Sequence, residues 1–370
     1  MGAQVDRTMQ ALRLQPGASK EGIETVPVPK IGPLDVLVKV KAAGLAPGVL
    51  TLGRLGLLQS LPATLGHEVA GTVEAVGEQV KATAVGSRVR IHSNVSCRRC
   101  EFCLSDRDQS CPEAGLMGFQ GFTKRKGTLF ETYRDGGLAE YIRAPYWLVD
   151  KLPDNISFDV GAKLHEVATA LCTLRKAGLK PGSTVIITAP TGAVGTCLLK
   201  IADLFGIKRI VLVGRSTERL EAVRKLTLIK VDIVALDKLS EDWVAKRELA
   251  RVVAQTVPDG ADAFIDLTPS GTDMWQALSG LGTNGTLVHL GANSSVLPLP
   301  MVAIMASCWT IVGTRNHSRN DALTVLSWLE TGIIKVDDLI THKWPFGEIE
   351  TAIERIRDRS LPIWMCVINF

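Results

Sequence analysis

The pattern of apolar and polar positions changes once along the 370-residue chain. Up to about residue 142, short alternating runs such as 36–40 are separated by glycine and proline, which predicts the many short strands of a barrel-like β domain. A helical pattern covers about residues 160–177. Strand and helix patterns then alternate to about residue 313, which predicts a parallel sheet with right-handed crossovers.

The clearest part of the alternating pattern is residues 183–213. A β-branched strand at 183–188 leads into a glycine turn, a helix and a second strand at 209–213, an order typical of a dinucleotide-binding unit. Glycines in the turn let the backbone approach a pyrophosphate, and the helix N-terminus offers free N–H groups. The residues predicted to contact the cofactor here are Thr191, Gly192, Ala193, Val194 and Gly195.

The end of the second strand indicates which nicotinamide cofactor is bound. An NAD site needs an Asp or Glu at this place to accept a hydrogen bond from the ribose 2′-OH. Gly214 stands there instead, followed by Arg215 and Ser216, with Arg219 one turn later. Guanidinium and hydroxyl groups bind a 2′-phosphate well. The sequence therefore predicts NADP(H), although a solvated basic turn would give the same residues.

Four of the eight cysteines are clustered, at Cys97, Cys100, Cys103 and Cys111. Four thiolates can close a tetrahedral site, and this spacing favours zinc over disulfides in a cytosolic chain. Because the protein fills all four positions, the zinc is expected to be structural. The scattered cysteines are expected to be small buried hydrophobic residues; they are Cys172, Cys197, Cys308 and Cys366.

Composition narrows the possible partners and location. The chain is 46% hydrophobic and 22% charged, and its net charge of +4 without a basic run gives no case for nucleic acid. Residues 1–15 contain no apolar leader segment, and the longest near-apolar run, 301–313, is too short to span a bilayer. It is expected to be a buried strand or helix. We therefore expect a cytoplasmic protein without membrane association.

Together these motifs resemble the zinc-containing alcohol dehydrogenase family, the medium-chain dehydrogenase/reductases. The resemblance rests on Gly66, His67 and Glu68, on the four-cysteine lobe at 97–111, on residues 136–141 and on the cofactor turn, and it covers nearly the whole chain. It implies an α/β fold with a Rossmann doubly wound parallel sheet, residues 161–308, inserted in a GroES-like β-barrel catalytic domain, residues 1–160 and 309–370. It also implies hydride transfer to or from a small-molecule substrate, and a homodimer or homotetramer.

The catalytic-zinc site departs from the family pattern. The family's zinc takes a cysteine from a Gly-x-Cys segment, the histidine of Gly-His-Glu, and a third Cys, Asp or Glu from a later helix. Ala46 stands where the first cysteine belongs, and Gly48 replaces the Ser or Thr that passes the proton of the alcohol. The third ligand position falls on His165.

Three interpretations follow from these departures. His67, Glu68 and His165 could hold a catalytic zinc that polarises a carbonyl group. Alternatively the site binds no metal, and a proton donor (His67, His165 or Glu166) assists hydride transfer from NADPH to a carbonyl or an activated C=C bond. We favour this metal-free, reductive chemistry. The third possibility is a non-catalytic NADPH-binding protein.

Two further assignments concern single residues. The resemblance implies that Thr169 packs beside the nicotinamide ring; otherwise it is a buried helix threonine bonded to a backbone carbonyl. Four histidines lie in no motif and are given no role: His92, His289, His317 and His342.

Overall fold

The computed structural model describes residues 7–58, 60–123, 125, 128–358 and 361–370. The first six residues of the N-terminal stretch tested for a leader segment lie outside this description. The chain divides into two compact units, Met1–Ala168 with His317–Phe370, and Thr169–Asn316. The sequence placed the junctions after residues 160 and 308. The first observed junction lies inside one continuous helix, so no glycine or proline marks it.

The first unit is built on antiparallel strands. The strands are β1 (Thr8–Leu14), β2 (Gly22–Pro27), β3 (Asp35–Gly44), β4 (Ala63–Thr64), β5 (Val69–Val76), β6 (Arg88–Ile91), β7 (Asn94–Val95), β8 (Gly115–Leu116), β9 (Gln120–Gly121), β10 (Tyr141–Pro145) and β11 (Val149–Lys151). Two strands from the end of the chain, Ile340–Pro345 and Met365–Asn369, complete the main sheet, where the last strand pairs with β3.

Strand β3 organises this sheet. It pairs with β5 along most of its length and with β10 on its other side, and its buried valines enter the apolar core of the unit. The register sets Ala43 beside Val69, so the end of β3 lies against the residues that precede β5. This pairing fixes the position of the candidate active site.

Short helices accompany the sheet of the first unit. They are α1 (Pro47–Arg54), α2 (Glu101–Leu104) and α3 (Leu129–Thr132), followed by the long α4 (Phe158–Lys176), which continues into the second unit. Near the end of the chain, helices Arg319–Glu330 and Ile349–Asp358 return to the first unit. Ser318 caps the first of these through a capping box with Asp321.

The second unit is a parallel sheet with helical crossovers. In chain order its elements are β12 (Thr184–Thr188), α5 (Ala193–Ile201), β13 (Arg209–Gly214), α6 (Thr217–Arg224), β14 (Lys230–Ala235), α7 (Glu248–Thr256), β15 (Ala261–Asp266), β16 (Leu281–His289), α8 (Met301–Ala306) and β17 (Thr310–Gly313). The strand order is β14-β13-β12-β15-β16-β17, all parallel, which is the doubly wound dinucleotide-binding arrangement.

Two predictions about apolar residues are wrong. Cys308 is exposed in the turn after α8, whereas the other three scattered cysteines are buried as expected. The near-apolar run at 301–313 is not buried either, since Met301 and Met305 are exposed on α8 and β17 is largely exposed at the end of the sheet. In the described part of the chain, no helix is both long and apolar enough to cross a membrane.

Candidate active site

His67 and Glu68 lie in the tight connection that enters β5. Gly66 has φ +97°, and a Cβ there would lie 2.8 Å from the backbone nitrogen of Leu138, so only glycine fits. Gly44, at the end of β3, donates its backbone N–H to the carbonyl of Glu68. A Cβ on Gly44 would lie 1.6 Å from Oε2 of Glu68, so that carboxylate is packed directly against the strand backbone.

Helix α4 brings three polar side chains to this place: Lys163, His165 and Glu166. Lys163 forms an ion pair with Glu68, and its Nζ lies 3.8 Å from Oε1 of Glu166. No sequence motif indicated Lys163. Its signal was a lysine inside an otherwise apolar helical stretch, three residues before a glutamate and therefore on the same face.

The two carboxyl groups differ in their protonation. Burial opposes ionisation of Glu68, but the positive charge of Lys163 and the neighbouring His67 still hold its pKa below the usual value. Burial and then the negative charge of Glu68 raise the pKa of Glu166 to about 8. Because one ammonium lies near two buried carboxyls, Glu68 becomes the more acidic of the two and Glu166 keeps its proton to higher pH. The lysine stays charged, since both carboxyls raise its pKa against the effect of burial.

A row of buried histidines extends from this cluster. The ring centroids of His67 and His165 are 4.7 Å apart, and those of His165 and His317 are 4.6 Å apart. His92 follows at 5.3 Å from His317, and its Nε2 lies 3.7 Å from Oδ2 of Asp108. His317 and His92 had no sequence motif, because residues 92, 165 and 317 meet only in the folded unit.

Burial keeps these imidazoles neutral. It is the main cause that lowers the pKa of both His67 and His165. For His67 the charge of Glu68 opposes this effect and that of Lys163 adds to it, and for His165 the neighbouring His317 adds to it. Burial and the charge of Arg319 likewise lower the pKa of His92. Neutral imidazoles do not act as acids near pH 7, so Glu166 is the candidate proton donor that holds a proton there.

The residues around His67 do not fit the family's catalytic zinc. Ala46 offers no ligand, and Lys163 already neutralises Glu68. Among the residues that the structure describes, the only group of three or more His, Cys, Asp or Glu ligand atoms within 4.8 Å of one another is the four-cysteine lobe. His67, Glu68 and His165 are therefore close in the fold without forming a compact ligand set.

The four-cysteine lobe does fit a structural zinc. Its four Sγ atoms lie within 4.8 Å of one another, and those of Cys100 and Cys103 are 3.5 Å apart. Zinc–sulfur bonds of about 2.3 Å imply sulfur–sulfur distances near ~3.8 Å in a tetrahedron. Backbone N–H groups of Cys97 and Glu113 point at Sγ of Cys111, each at 3.4 Å, as is common around thiolate ligands.

The predicted cofactor turn lies at the N-terminus of α5, in the second unit. Gly192 is the N-cap, and a Cβ there would meet nothing within 4 Å, so there is open space beside the first turn of the helix, where N–H groups lack helical partners. A Cβ on Gly195 would lie 2.2 Å from the carbonyl oxygen of Pro190, so glycine is required for the helix to pack on the turn. Thr191, Ala193 and Val194 lie beside these glycines, and the turn fits a dinucleotide pyrophosphate.

The predicted phosphate-binding residues lie at the end of β13 and the start of α6. Gly214 ends the strand, Arg215 is exposed, and Arg219 is in the first turn of α6. Ser216 is the N-cap of α6, and its Oγ accepts from the backbone N–H of Arg219 at 3.4 Å. The sequence predicts that this hydroxyl contacts the 2′-phosphate. In the structure one of its acceptor positions is already used by the helix cap.

Asp237 and Thr169 are two further polar residues of the second unit. Asp237, which no motif indicated, accepts hydrogen bonds from both the backbone N–H and the hydroxyl of Thr217, at 2.8 and 2.5 Å. It thereby ties the turn after β14 to the start of α6. Thr169 is buried on α4, and its carbonyl accepts from the hydroxyl of Thr173.

Comparison with known proteins agrees with this architecture. Residues 32–154 match the alcohol dehydrogenase GroES-like domain, and residues 193–331 match the zinc-binding dehydrogenase domain. L-idonate 5-dehydrogenase of Vitis vinifera is 29% identical over 90% of this chain and 89% of its own length, and sorbitol dehydrogenase of Arabidopsis thaliana is 28% identical over 90% and 89%. A candidate zinc-binding dehydrogenase from Sinorhizobium meliloti 1021, solved bound to NADP, has the same fold with a TM-score of 0.83, 24% identity and coverage of 98% and 100%.

The fold and the zinc lobe thus define a two-domain zinc-binding dehydrogenase. The chain belongs to the zinc-containing alcohol dehydrogenase family of the medium-chain dehydrogenase/reductases, and it is an oxidoreductase of that family. The family and the fold class predicted from the sequence are both confirmed.

Proposed function

We propose that this protein is an NADP(H)-dependent reductase that transfers hydride to a carbonyl or an activated C=C bond of a small organic substrate, with a protonated carboxylic acid in place of a catalytic zinc. The observation that carries the proposal is the cluster of Lys163, Glu68 and Glu166. It provides a buried acid that keeps its proton at neutral pH, in the region where the family places its metal.

Glu166 suits the role of proton donor better than its neighbours. Its side chain is 11% exposed, whereas those of Lys163 and Glu68 are 2% and 0% exposed. A general acid must regain its proton after each turnover, which requires a path to water. Glu68 lacks that path and is held ionised by Lys163, so it is suited to positioning the cluster.

The remaining residues act on the cofactor and the substrate. Bound NADPH supplies the hydride. The N-terminus of α5 binds the pyrophosphate, and Arg215 with Arg219 holds the 2′-phosphate. Thr169 is proposed to pack beside the nicotinamide ring. Glu166 donates its proton to the substrate oxygen or carbon on which negative charge develops as hydride arrives, and then takes a new proton from water.

The test is turnover of NADPH with a panel of aldehydes, ketones and enones. The names of the idonate and sorbitol dehydrogenase relatives add hydroxylated ketones to that panel. NMR of the product from an enone separates an allylic alcohol, formed by carbonyl reduction, from a saturated ketone. Tight binding of NADPH without turnover of any substrate would favour the non-catalytic alternative.

The preference for NADP over NAD should depend on the residues that follow β13. We expect Gly214→Asp with Arg215→Ala to shift the ratio of NADP to NAD affinity toward NAD by at least about tenfold, because a ribose acceptor replaces a phosphate donor. Fluorescence titration of both cofactors measures the ratio without a substrate. Since a Cβ on Gly214 would lie 3.0 Å from Cδ2 of Leu220, Gly214→Ala with Arg215→Ala is the control for crowding. An unchanged ratio would remove the NADP assignment.

Oligomerisation is proposed to use the exposed apolar surface of the second unit. β17 is the last strand of its sheet, and Met301 and Met305 are 83% and 70% exposed on α8. The wild type should have the mass of a homodimer or homotetramer in light scattering. Met301→Lys with Met305→Lys should weaken association at least about tenfold, because charges are poorly tolerated in an interface core. Leu228→Lys, at another exposed apolar residue, should leave the mass unchanged; a monomeric wild type would contradict the proposal.

A further inference from the structure

Lys163 is a charged side chain at an unusual place. It lies in the second turn of α4, and its neighbours in that helix, Ala162 and Leu164, are buried in the apolar interior. A buried ammonium is costly unless it is paired. It forms an ion pair with Glu68, and its Nζ lies 3.8 Å from Oε1 of Glu166.

The carboxylate of Glu68 is buried and closely packed. Its Oε2 contacts Lys163 and is packed against the backbone of Gly44, while its Oε1 faces Nε2 of His67 at 3.7 Å. The lysine and the strand backbone thus enclose Oε2, so a cation that approached this oxygen would meet Lys163 on one side and Gly44 on the other. Oε1 is buried without a hydrogen-bond partner in the described structure.

We propose that the ammonium of Lys163 takes the place of the catalytic metal ion in this protein and excludes zinc from the site. This inference rests on the metal-free function proposed above and names the residue responsible for it. The covalently attached ammonium of Lys163 balances the carboxylate of Glu68, and Ala46 has no ligand to offer a competing metal.

The charge of the cluster supports the exclusion. Lys163 and Glu68 form a buried ion pair, in which one positive charge balances one negative charge. A divalent ion would add two positive charges to a buried, already balanced group, close to an ammonium that repels it. Replacing Lys163 by a neutral residue should favour metal binding, because Glu68 would then be a buried carboxylate without a counter-ion.

Metal content tests the proposal without any substrate. Purified wild-type protein, equilibrated with zinc and then freed of loosely bound metal, should hold about one zinc per subunit, in the cysteine lobe. Ala46→Cys should still hold about one, because Lys163 remains. Ala46→Cys with Lys163→Met should hold about two, since the cysteine ligand is restored and Glu68 is released. The exposed Lys176→Met, on the same helix, is the control and should stay at one.

Stability provides a second readout if the double variant folds poorly. Lys163→Met should lower the thermal midpoint by about 6–20 °C in metal-free buffer, because it leaves Glu68 charged and unpaired. Adding Glu68→Gln should restore most of that loss, whereas Lys163→Arg should retain the charge and much of the stability.

Several outcomes would overturn the proposal. Two zinc ions per subunit in the wild type, or a second zinc in Ala46→Cys with Lys163 in place, would show that the ammonium does not exclude metal. A double variant that remains at one zinc would show that Lys163 is not what keeps metal out. Failure of NADPH turnover alone would affect only the proposed function, since the zinc measurements need no catalysis.

Discussion

Glu166→Gln should remove a fall in stability that the wild type shows as pH rises. The carboxyl of Glu166 has its pKa raised to about 8 in the folded protein, against 4.5 as the ordinary value. Its stabilising contribution is therefore fully present below about pH 4.5 and is lost as pH rises through about 8, because the unfolded chain binds fewer protons than the folded chain in that range. The wild type should lose on the order of a few kcal/mol relative to the variant across this interval.

Denaturant unfolding of both proteins at several pH values measures this difference. Comparison with Glu350→Gln, an exposed glutamate on the helix Ile349–Asp358, separates the effect of Glu166 from the titration of all other groups. A parallel pH dependence in the wild type and Glu166→Gln would mean that Glu166 is ionised in the folded protein, and the acid-assisted mechanism would then lose its proton donor.

The same variant should change catalysis. Once a substrate is found, reductive kcat/KM of the wild type should decline above about pH 8, as the proton of Glu166 is lost. Glu166→Gln keeps the size of the side chain but cannot donate an acidic proton, so its rate should be roughly 10²–10⁴-fold lower and should lack that decline. A variant with wild-type rates would exclude Glu166 as the acid.

Cys103→Ser should release the zinc and destabilise the lobe at residues 97–111. Four thiolates close the predicted site, and a hydroxyl is a poor replacement for one of them. Because binding of a structural zinc contributes directly to folding, we expect a loss of roughly 3 kcal/mol or more and a thermal midpoint lower by about 6–12 °C. Zinc analysis and thermal unfolding measure both effects.

Cys308→Ser is the matched control for this variant. Cys308 is exposed and lies outside the four-cysteine group, so its replacement should change neither zinc content nor stability. Treatment of the wild type with a strong chelator should reproduce the effect of Cys103→Ser. A zinc-free Cys103→Ser protein as stable as the wild type would remove the assignment of a structural zinc.

The sequence by itself determined the class of the protein and its two chemical motifs. Alternation of strands and helices over residues 183–313, with the glycine turn at Gly192 and Gly195, required only local patterns, which are set by neighbours in the chain. The cysteines at 97–111 are likewise close in sequence, so their spacing was enough to indicate a metal lobe. Both motifs can be predicted from the sequence because they depend on residues that are close together along the chain.

The sequence did not predict which apolar segments are exposed. The run at 301–313 has the composition of a core element, yet Met301 and Met305 are exposed. Whether an apolar segment is covered depends on which elements pack on it. β17 is the last strand in the order of its sheet, and local sequence patterns do not predict strand order.

The tertiary structure alone decided which groups meet at the candidate active site. The absence of a cysteine at Ala46 was visible in the sequence, but the buried ion pair between Lys163 and Glu68 was not. Lys163 and Glu68 are 95 residues apart, and they meet only because β3 sets Gly44 beside Glu68 and α4 packs its polar face on the same place. The protonation of Glu166 follows from that meeting, since a pKa depends on burial and on charges that are neighbours in space, whatever their separation along the chain.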